Sequence, residues 1–293
     1  MTVLPEALTS RVRDVGVLVK FKLNLTVVFS AVMAYLVTAT DASIESVGLL
    51  ALAGFCVAGA ANALNQILER DFDRLMERTA DRPLAAGRMG VGTASIIAGL
   101  LSISGILMLA SFNPWTAILG AVAMLSYAFL YTPMKRISPA AIAIGAFPGA
   151  LPVLIGSLAW NGEVTPLAMA LFAIQFFWQF PHFSAIGWLG FKDYQKAGFR
   201  FIASHNGRPD STLGLQSMLY GLCLVPVGLV PYINGYTGLG SAIVVVVASA
   251  IYAWFGWNLQ VRNDRKAALW LMFSSFFYLP VVLCALWLDK VPV

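Results

Sequence analysis

The chain has 293 residues, of which 59% are hydrophobic and 11% are charged, and its formal net charge is +5. This composition excludes an ordinary soluble domain and indicates a helical protein that crosses a membrane several times. The positive charge indicates membrane topology and contact with anionic lipid headgroups, and we expect no binding of nucleic acid.

Nine apolar segments follow one another along the chain, each close to the 20 or so residues that a helix needs to cross the hydrocarbon core. No linker or change of composition divides them. We therefore predict an all-α membrane protein with nine transmembrane helices, in which residues 1–293 form a single polytopic domain. The predicted spans are 22–40, 46–64, 92–111, 114–132, 139–159, 165–188, 211–232, 238–257 and 267–287.

Lysine and arginine residues lie almost entirely on one side of these spans. Of the 19, all but Lys290 fall in the N-terminal segment or in the loops after the second, fourth, sixth and eighth spans. By the positive-inside rule, this distribution predicts a cytoplasmic N-terminus and a C-terminus outside.

The second span continues into a charged segment that has no glycine or proline between Ala61 and Arg82. If the helix persists, Asn65, Glu69 and Asp73 lie at i, i+4 and i+8 on one face. Stacked oxygen ligands of this kind suit Mg²⁺, which commonly bridges to phosphates of a substrate. The alternative is a solvated helix end with i,i+4 ion pairs. Three arginines near this face are candidates for binding phosphate oxygens: Arg74, Arg78 and Arg82.

Tyr131 and Lys135 end the fourth span on the same side of the membrane. They are candidates for placing a phenol and an ammonium group against the same ligand. The alternative is an interfacial tyrosine beside a lysine whose head reaches the lipid headgroups.

The sixth span contains a polar cluster, because Trp178, Gln179 and His182 interrupt its apolar run. Polar groups within a membrane usually face a cavity. Asp193 follows His182 by eleven residues and falls on nearly the same face if the helix continues. A lone histidine can also be a buried polar group that is satisfied by its neighbours.

Taken together, these motifs resemble those of the UbiA superfamily of intramembrane prenyltransferases, and within it the branch that acts on heme. The superfamily pattern NDxxDxxxD is represented by NQILERDFD at residues 65–73. The elements YxxxK, WQxPHF and DYxxAG match residues 131–135, 178–183 and 193–198. The chain departs from the family after Gly198, where it reads FRFIASHNGRPDS instead of an apolar, proline-containing stretch.

The resemblance implies a UbiA-type bundle in the bacterial inner membrane, with a central cavity open to the cytoplasmic side. It also implies transfer of a farnesyl group from farnesyl diphosphate to a vinyl group of heme b, with addition of water, to give heme O. Mg²⁺ bound by the face of Asn65, Glu69 and Asp73 would neutralise the leaving diphosphate with help from Lys135 and the arginines. Contact with other proteins of heme A synthesis and oxidase assembly is a further implication.

For the heme, the resemblance makes His182 the first candidate, as axial ligand or as hydrogen-bond partner of a propionate. Lys192 is a candidate partner of a propionate. Two other functions remain open. One is prenyl transfer to an aromatic or quinone precursor, although the chain lacks the aspartate-rich second motif expected there. The other is a heme-binding membrane carrier without enzymatic activity, which predicts ionisable residues at mid-depth in several spans.

Overall fold

The structure of the protein is a computed structural model that describes residues 6–205 and 207–291. The single domain predicted over residues 1–293 extends beyond the described part at both ends. The helices are α1 (Glu6–Leu18), α2 (Phe21–Thr38), α3 (Ile44–Asp73), α4 (Val91–Ala110), α5 (Pro114–Leu125), α6 (Thr132–Met134), α7 (Ala141–Asn161), α8 (Pro166–Leu189), α9 (Phe191–Lys196), α10 (Leu213–Ile233), α11 (Leu239–Arg262) and α12 (Arg265–Leu288). A π-helical turn, Ser126–Tyr131, joins α5 to α6, and two short strands, β1 (Ser204–His205) and β2 (Arg208–Pro209), pair antiparallel between α9 and α10.

Long helices lie where the sequence predicts membrane spans. Eight of those in the described part are long and apolar enough to cross a membrane, which confirms an all-α, multi-pass membrane protein. The remaining predicted span corresponds to α8, which has 24 residues but is less apolar because Gln175, Gln179 and His182 interrupt its run. Membrane crossing by α8, and with it the count of nine, stays a prediction.

Helix α3 carries the predicted metal-binding face. Its N-terminus is capped by Ser43, whose hydroxyl accepts a hydrogen bond from the amide of Ser46 at 3.1 Å. The helix then runs for 30 residues, about 45 Å at 1.5 Å per residue. This exceeds the roughly 30 Å of hydrocarbon in a bilayer. The end of α3 near Asp73 therefore continues past the apolar layer as the sequence predicts.

Two apolar clusters form the core, and helices α2 and α7 contribute to both. One cluster joins them to α8, α10, α11 and α12, and the other joins them to α3, α4 and α5. Large apolar side chains on the outer faces remain exposed, for example Leu100 at 63% and Phe277 at 71%. This is expected where lipid rather than water surrounds the helices. The end of α3 and the turn after α6 meet at one end of the bundle, where the charged side chains gather.

Candidate active site

The predicted face of α3 forms one wall of a charged cavity of about 130 Å³. Asn65, Glu69 and Asp73 line it, and their exposed fractions are 1%, 4% and 1%. The amide of Asn65 donates a hydrogen bond to Oε2 of Glu69 at 2.9 Å and another to Oγ1 of Thr132 at 3.0 Å. Asp71 lies elsewhere on the helix, where it is exposed and pairs with Arg70 and Arg74. Helical spacing thus separates the buried acids from the exposed acid.

Each oxygen group on this wall contacts a cation. Nζ of Lys135 lies 2.5 Å from Oε1 of Glu69. Nη1 of Arg82 donates to both carboxylate oxygens of Asp73, at 2.9 and 2.7 Å. Nζ of Lys20 donates to Oδ1 of Asn65 at 3.2 Å. With Arg78, four cationic side chains face two carboxylates among the described lining residues. The cavity therefore carries an excess of positive charge, which fits a polyanionic ligand.

Lys20 is a lining residue that the motifs did not reveal. It lies in the turn between α1 and α2 with φ 50° and ψ 57°, a left-handed conformation that is uncommon outside glycine. Burial, reinforced by the nearby positive charges of Arg82 and Lys135, lowers the pKa of Lys20 to about 7. Burial also lowers the pKa of Lys135, against the opposing effect of Glu69. In the sequence analysis Lys20 counts only as one of the N-terminal positive charges that indicate topology, because no motif links it to α3.

Two tyrosines enter the cavity from the π-helical turn. The amide of Thr132 donates to the carbonyl of Tyr127, five residues earlier, and Pro133 has no amide with which to restore the α-helical pattern. Tyr127 and Tyr131 consequently pack against each other, with ring centroids 5.3 Å apart and ring planes tilted by 39°. The ring of Tyr131 packs directly against Gly145, where an added Cβ would lie 2.5 Å from the ring. Only glycine leaves room for the ring at this position. Tyr127 was missed, although its spacing of four residues from Tyr131 was a usable signal.

The polar residues of α9 divide between the cavity and the surface. Tyr194 lines the cavity, and its hydroxyl accepts a hydrogen bond from Nη2 of Arg78 at 3.4 Å. Burial raises the pKa of Tyr194. Asp193 pairs with Lys196 at 3.8 Å, and Lys192 is exposed. Helix α8 ends at Leu189 with Gly190 as its C-cap, so Asp193 does not share one continuous helical face with the sixth predicted span.

Arg74 points away from the cavity. Its Nε donates to the carbonyl of Ala85 at 2.9 Å and its Nη1 donates to Asp71 at 3.3 Å. Of the three arginines proposed for phosphate binding, Arg78 and Arg82 therefore lie in the cavity.

The polar cluster of α8 is separate from the charged cavity. Nδ1 of His182 lies 2.7 Å from Oγ of Ser275, and the imidazole stacks on Trp178 with a centroid separation of 4.8 Å. The indole of Trp178 donates to the carbonyl of Ser275, whereas the amide of Gln179 donates to the carbonyl of Ala146, each at 2.9 Å. The cluster thus joins α8 to α12 on one side and to α7 on the other.

An apolar cavity of about 130 Å³ adjoins the charged one, and Tyr127 lines both. Helices α2, α3, α4, α5 and α7 form its walls, with residues such as Leu23, Val57 and Ile155. A charged cavity beside an apolar one, with a shared wall at Tyr127, suits an amphiphilic ligand with an anionic head and a hydrocarbon tail.

The charged cavity has a donor set that fits Mg²⁺. Two carboxylates and an amide oxygen are hard ligands of the type that this cation prefers. In residues 6–205 and 207–291, no cluster of three or more His, Cys, Asp and Glu side chains is arranged for a metal. The Asn65 face is therefore the candidate metal site, and its remaining ligands would be phosphate oxygens and water.

Fold and site define an intramembrane protein that binds an amphiphilic anion, and comparison with known proteins identifies the class. The chain belongs to the UbiA prenyltransferase family, whose model matches residues 26–279. This confirms the resemblance read from the motifs.

Curated relatives agree with the heme branch. A protoheme IX farnesyltransferase of Cytophaga hutchinsonii is 42% identical over 277 residues, which are 94% of this chain and 96% of the relative. Another, of Flavobacterium psychrophilum, is 39% identical and covers 94% of each chain.

Solved structures support the UbiA-type fold. A digeranylgeranylglyceryl phosphate synthase superposes with a TM-score of 0.79 at 17% identity, covering 97% of this chain and all of its own. A UbiA homologue from Archaeoglobus fulgidus, bound to DMAPP and Mg²⁺, gives a TM-score of 0.65 at 14% identity, covering 93% of this chain and 99% of its own. At these identities the comparison bears on the fold alone.

Proposed function

We propose that this enzyme transfers a farnesyl group from farnesyl diphosphate to a vinyl group of heme b, with addition of water, to give heme O. The observation that carries the donor half is the cationic cavity that lies beside an apolar one, with Tyr127 in the wall of both. The acceptor half is supported by the curated relatives, which are protoheme IX farnesyltransferases that match almost the whole chain.

The diphosphate lies in the charged cavity. Asn65, Glu69 and Asp73 would hold Mg²⁺, which neutralises the leaving diphosphate when bound. Arg78, Arg82, Lys20 and Lys135 bind the phosphate oxygens that the metal leaves free. In the structure, Lys135 pairs with Glu69 and Arg82 pairs with Asp73.

The farnesyl chain lies in the apolar cavity. Its walls are apolar side chains of the bundle, so the chain is bound by the same burial that holds the core together. Ionisation of the C–O bond leaves an allylic cation at C1, and the diphosphate departs with the electron pair. Because its walls are apolar, the cavity excludes water from this cation until the acceptor reaches it.

The π electrons of a heme vinyl group attack C1 of the cation. The resulting cation on the heme side chain takes the oxygen of water and releases a proton, which gives the hydroxyethylfarnesyl group. For the heme we propose the α8 cluster of Trp178, Gln179 and His182, with Lys192 and Asp193 nearer the surface. The supporting observation is a histidine whose Nδ1 is hydrogen-bonded, because such a ring presents its other nitrogen in a fixed direction.

The proposed location is the bacterial inner membrane, with the charged cavity and the N-terminus on the cytoplasmic side. It is supported by the 18 lysine and arginine residues that precede or follow the spans on that side. A product that is confined to the membrane also favours contact with the membrane proteins of heme A synthesis and oxidase assembly that consume it.

The test is product formation by the purified protein. Heme b, farnesyl diphosphate and Mg²⁺ are incubated with the enzyme in lipid nanodiscs, and the heme fraction is examined by mass spectrometry. We expect a species heavier than heme b by one farnesyl group and one hydroxyl group, and we expect its loss in EDTA. Prenylation of 4-hydroxybenzoate but not of heme would favour the quinone-precursor alternative. Heme binding without any C–O cleavage would favour the carrier.

A further inference from the structure

The segment in which the chain departs from the family pattern covers the charged cavity. Phe199 and Phe201 point inward and are 7% and 2% exposed, whereas Arg200 between them is exposed. Together with Tyr194, these two rings line the cavity, and Phe199 also packs against Phe72 of α3. We call Tyr194, Phe199 and Phe201 the aromatic roof.

The roof is fixed to both sides of the cavity. The amide of Phe199 donates to the carbonyl of Tyr194 at 2.9 Å, and the amide of Arg200 donates to the carbonyl of Lys135 at 2.8 Å. Phe201 packs edge-on against Phe183, with centroids 6.1 Å apart. Ile202, the next residue, fills the space left by Gly187, where an added Cβ would lie 2.1 Å from it.

The ammonium group of Lys135 lies near one ring of the aromatic roof, Phe199, and near Tyr131. Nζ of Lys135 is 5.8 Å from the centroid of Phe199 and 4.8 Å from that of Tyr131. At such distances the face of an aromatic ring attracts a cation. The carbon that becomes cationic is bonded to the diphosphate, whose binding groups include Lys135. The ring of Phe199 is therefore within the region where the allylic cation forms.

We propose that the aromatic roof, and Phe199 above all, determines whether the farnesyl cation is transferred to the acceptor or captured by water. The roof excludes water from C1 and presents a π face to the cation. This inference rests on the proposed function, because it concerns the cation formed from farnesyl diphosphate. The competing reaction is balanced: the C1–O bond breaks, water adds through oxygen to C1, a proton is released, and farnesol and diphosphate result.

The experiment follows both products in H₂¹⁸O. Farnesol formed by capture of the cation contains ¹⁸O, whereas farnesol from a contaminating phosphatase keeps its original oxygen because the P–O bond breaks. Wild type and variants are incubated with farnesyl diphosphate and Mg²⁺, with and without heme b. The ratio of ¹⁸O-farnesol to farnesylated heme is independent of the folded fraction, since only folded enzyme makes either product.

Phe199→Ala opens the roof, and we expect the ratio of ¹⁸O-farnesol to farnesylated heme to rise several-fold. Phe199→Leu keeps most of the apolar volume but removes the π face. We expect it to lower total C–O cleavage by about two- to thirtyfold while the product ratio stays near that of wild type. Phe199→Tyr restores cleavage. The matched control is Phe72→Leu, because Phe72 packs against Phe199 at 5.9 Å without lining the cavity.

An unchanged product ratio in Phe199→Ala, together with unchanged cleavage in Phe199→Leu, would overturn the proposal. Equal effects of Phe72→Leu and Phe199→Leu would do so as well, because they would indicate packing alone. If wild type makes ¹⁸O-farnesol but no farnesylated heme, the acceptor assignment fails. The roof is then tested by the rate of ¹⁸O-farnesol formation in wild type and variants. If wild type cleaves no C–O bond with Mg²⁺, the roof and the proposed function both fail.

Discussion

Nδ1 of His182 lies 2.7 Å from Oγ of Ser275, and that hydroxyl is also within hydrogen-bond distance of the carbonyl of Met272. A serine hydroxyl has a single hydrogen, so when it donates to Met272, Oγ accepts the hydrogen bond from Nδ1–H of the imidazole; when it donates to Nδ1 instead, the proton of the neutral ring is on Nε2. The first prediction is drawn for the arrangement in which Met272 accepts. Nε2 of the neutral ring then carries a lone pair and no proton. Such a nitrogen is suited to ligate iron and is unable to donate a hydrogen bond to a propionate carboxylate.

The first prediction is therefore spectroscopic. When heme b is added to the purified enzyme without farnesyl diphosphate, the Soret band of wild type is expected to show histidine ligation, and His182→Ala is expected to lose it. Ser275→Ala frees the ring to change tautomer, so heme affinity is expected to fall about 10- to 100-fold while ligation persists at high heme concentration. Identical spectra of wild type and His182→Ala would remove His182 as an axial ligand.

The second prediction compares two aspartates that are two residues apart. Asp73→Asn removes a buried charge from the proposed metal face, and we expect farnesyl transfer to fall about a hundredfold or more. Asp71→Asn removes an exposed charge that pairs with Arg70 and Arg74, and we expect transfer near the wild-type rate.

Melting temperatures in detergent accompany these rates, because Asp73→Asn leaves the guanidinium of Arg82 without its carboxylate. Equal loss of transfer in the two aspartate variants would contradict the assignment of the α3 face.

The third prediction concerns the space for Tyr131. Gly145→Ala places a methyl group 2.5 Å from the Tyr131 ring, so the ring or α7 has to move at a cost of about 1–3 kcal/mol. We expect weaker binding of farnesyl diphosphate and a lower melting temperature. Gly99→Ala is the control, since an added Cβ there meets nothing within 4 Å, and we expect wild-type activity. Normal binding in Gly145→Ala would show that the position of Tyr131 is not needed.

The fourth prediction is a pH dependence of stability in the metal-free protein. The pKa of Lys20 is about 7 in the folded protein against 10.5 for a free side chain, so the unfolded state binds more protons between these values. Stability contributed by this group consequently rises with pH through that window and is lowest below pH 7.

The check is the melting temperature in EDTA at pH 6.5 and 8.5, for wild type and for Lys20→Met. Methionine keeps the length and the left-handed backbone position while removing the titrating group. We expect a larger rise with pH in wild type than in the variant. Parallel curves would mean that the ammonium of Lys20 is charged throughout this range.

Helical periodicity was sufficient to predict the buried face of α3 that we propose as the metal site. An uninterrupted helix brings Asn65, Glu69 and Asp73 to one side whatever surrounds it, and the same periodicity excludes Asp71. The positions of the spans followed from apolar length in the same way. The resemblance to the UbiA family supplied the acceptor, which spacing alone does not determine.

Long-range contacts lay beyond the sequence patterns. Lys20 reaches Asn65 only because the turn after α1 packs against α3, and the aromatic roof reaches the cavity through hydrogen bonds to Tyr194 and Lys135. Continuity of α8 to Asp193 depended on Gly190, which ends the helix. The contacts of Lys20 and of the aromatic roof are set by tertiary packing, on which local periodicity carries no information, whereas Gly190 is a local signal for the end of a helix.

Tyr127 lines both cavities and marks the boundary between a polar and an apolar environment inside the protein. An amphiphile distributes itself across such a boundary with its head on the polar side and its tail on the apolar side. In farnesyl diphosphate the junction between head and tail is the C1–O bond, which is also the bond that breaks. For the function proposed above, partitioning of head and tail between the two cavities would place the scissile bond beside Tyr127.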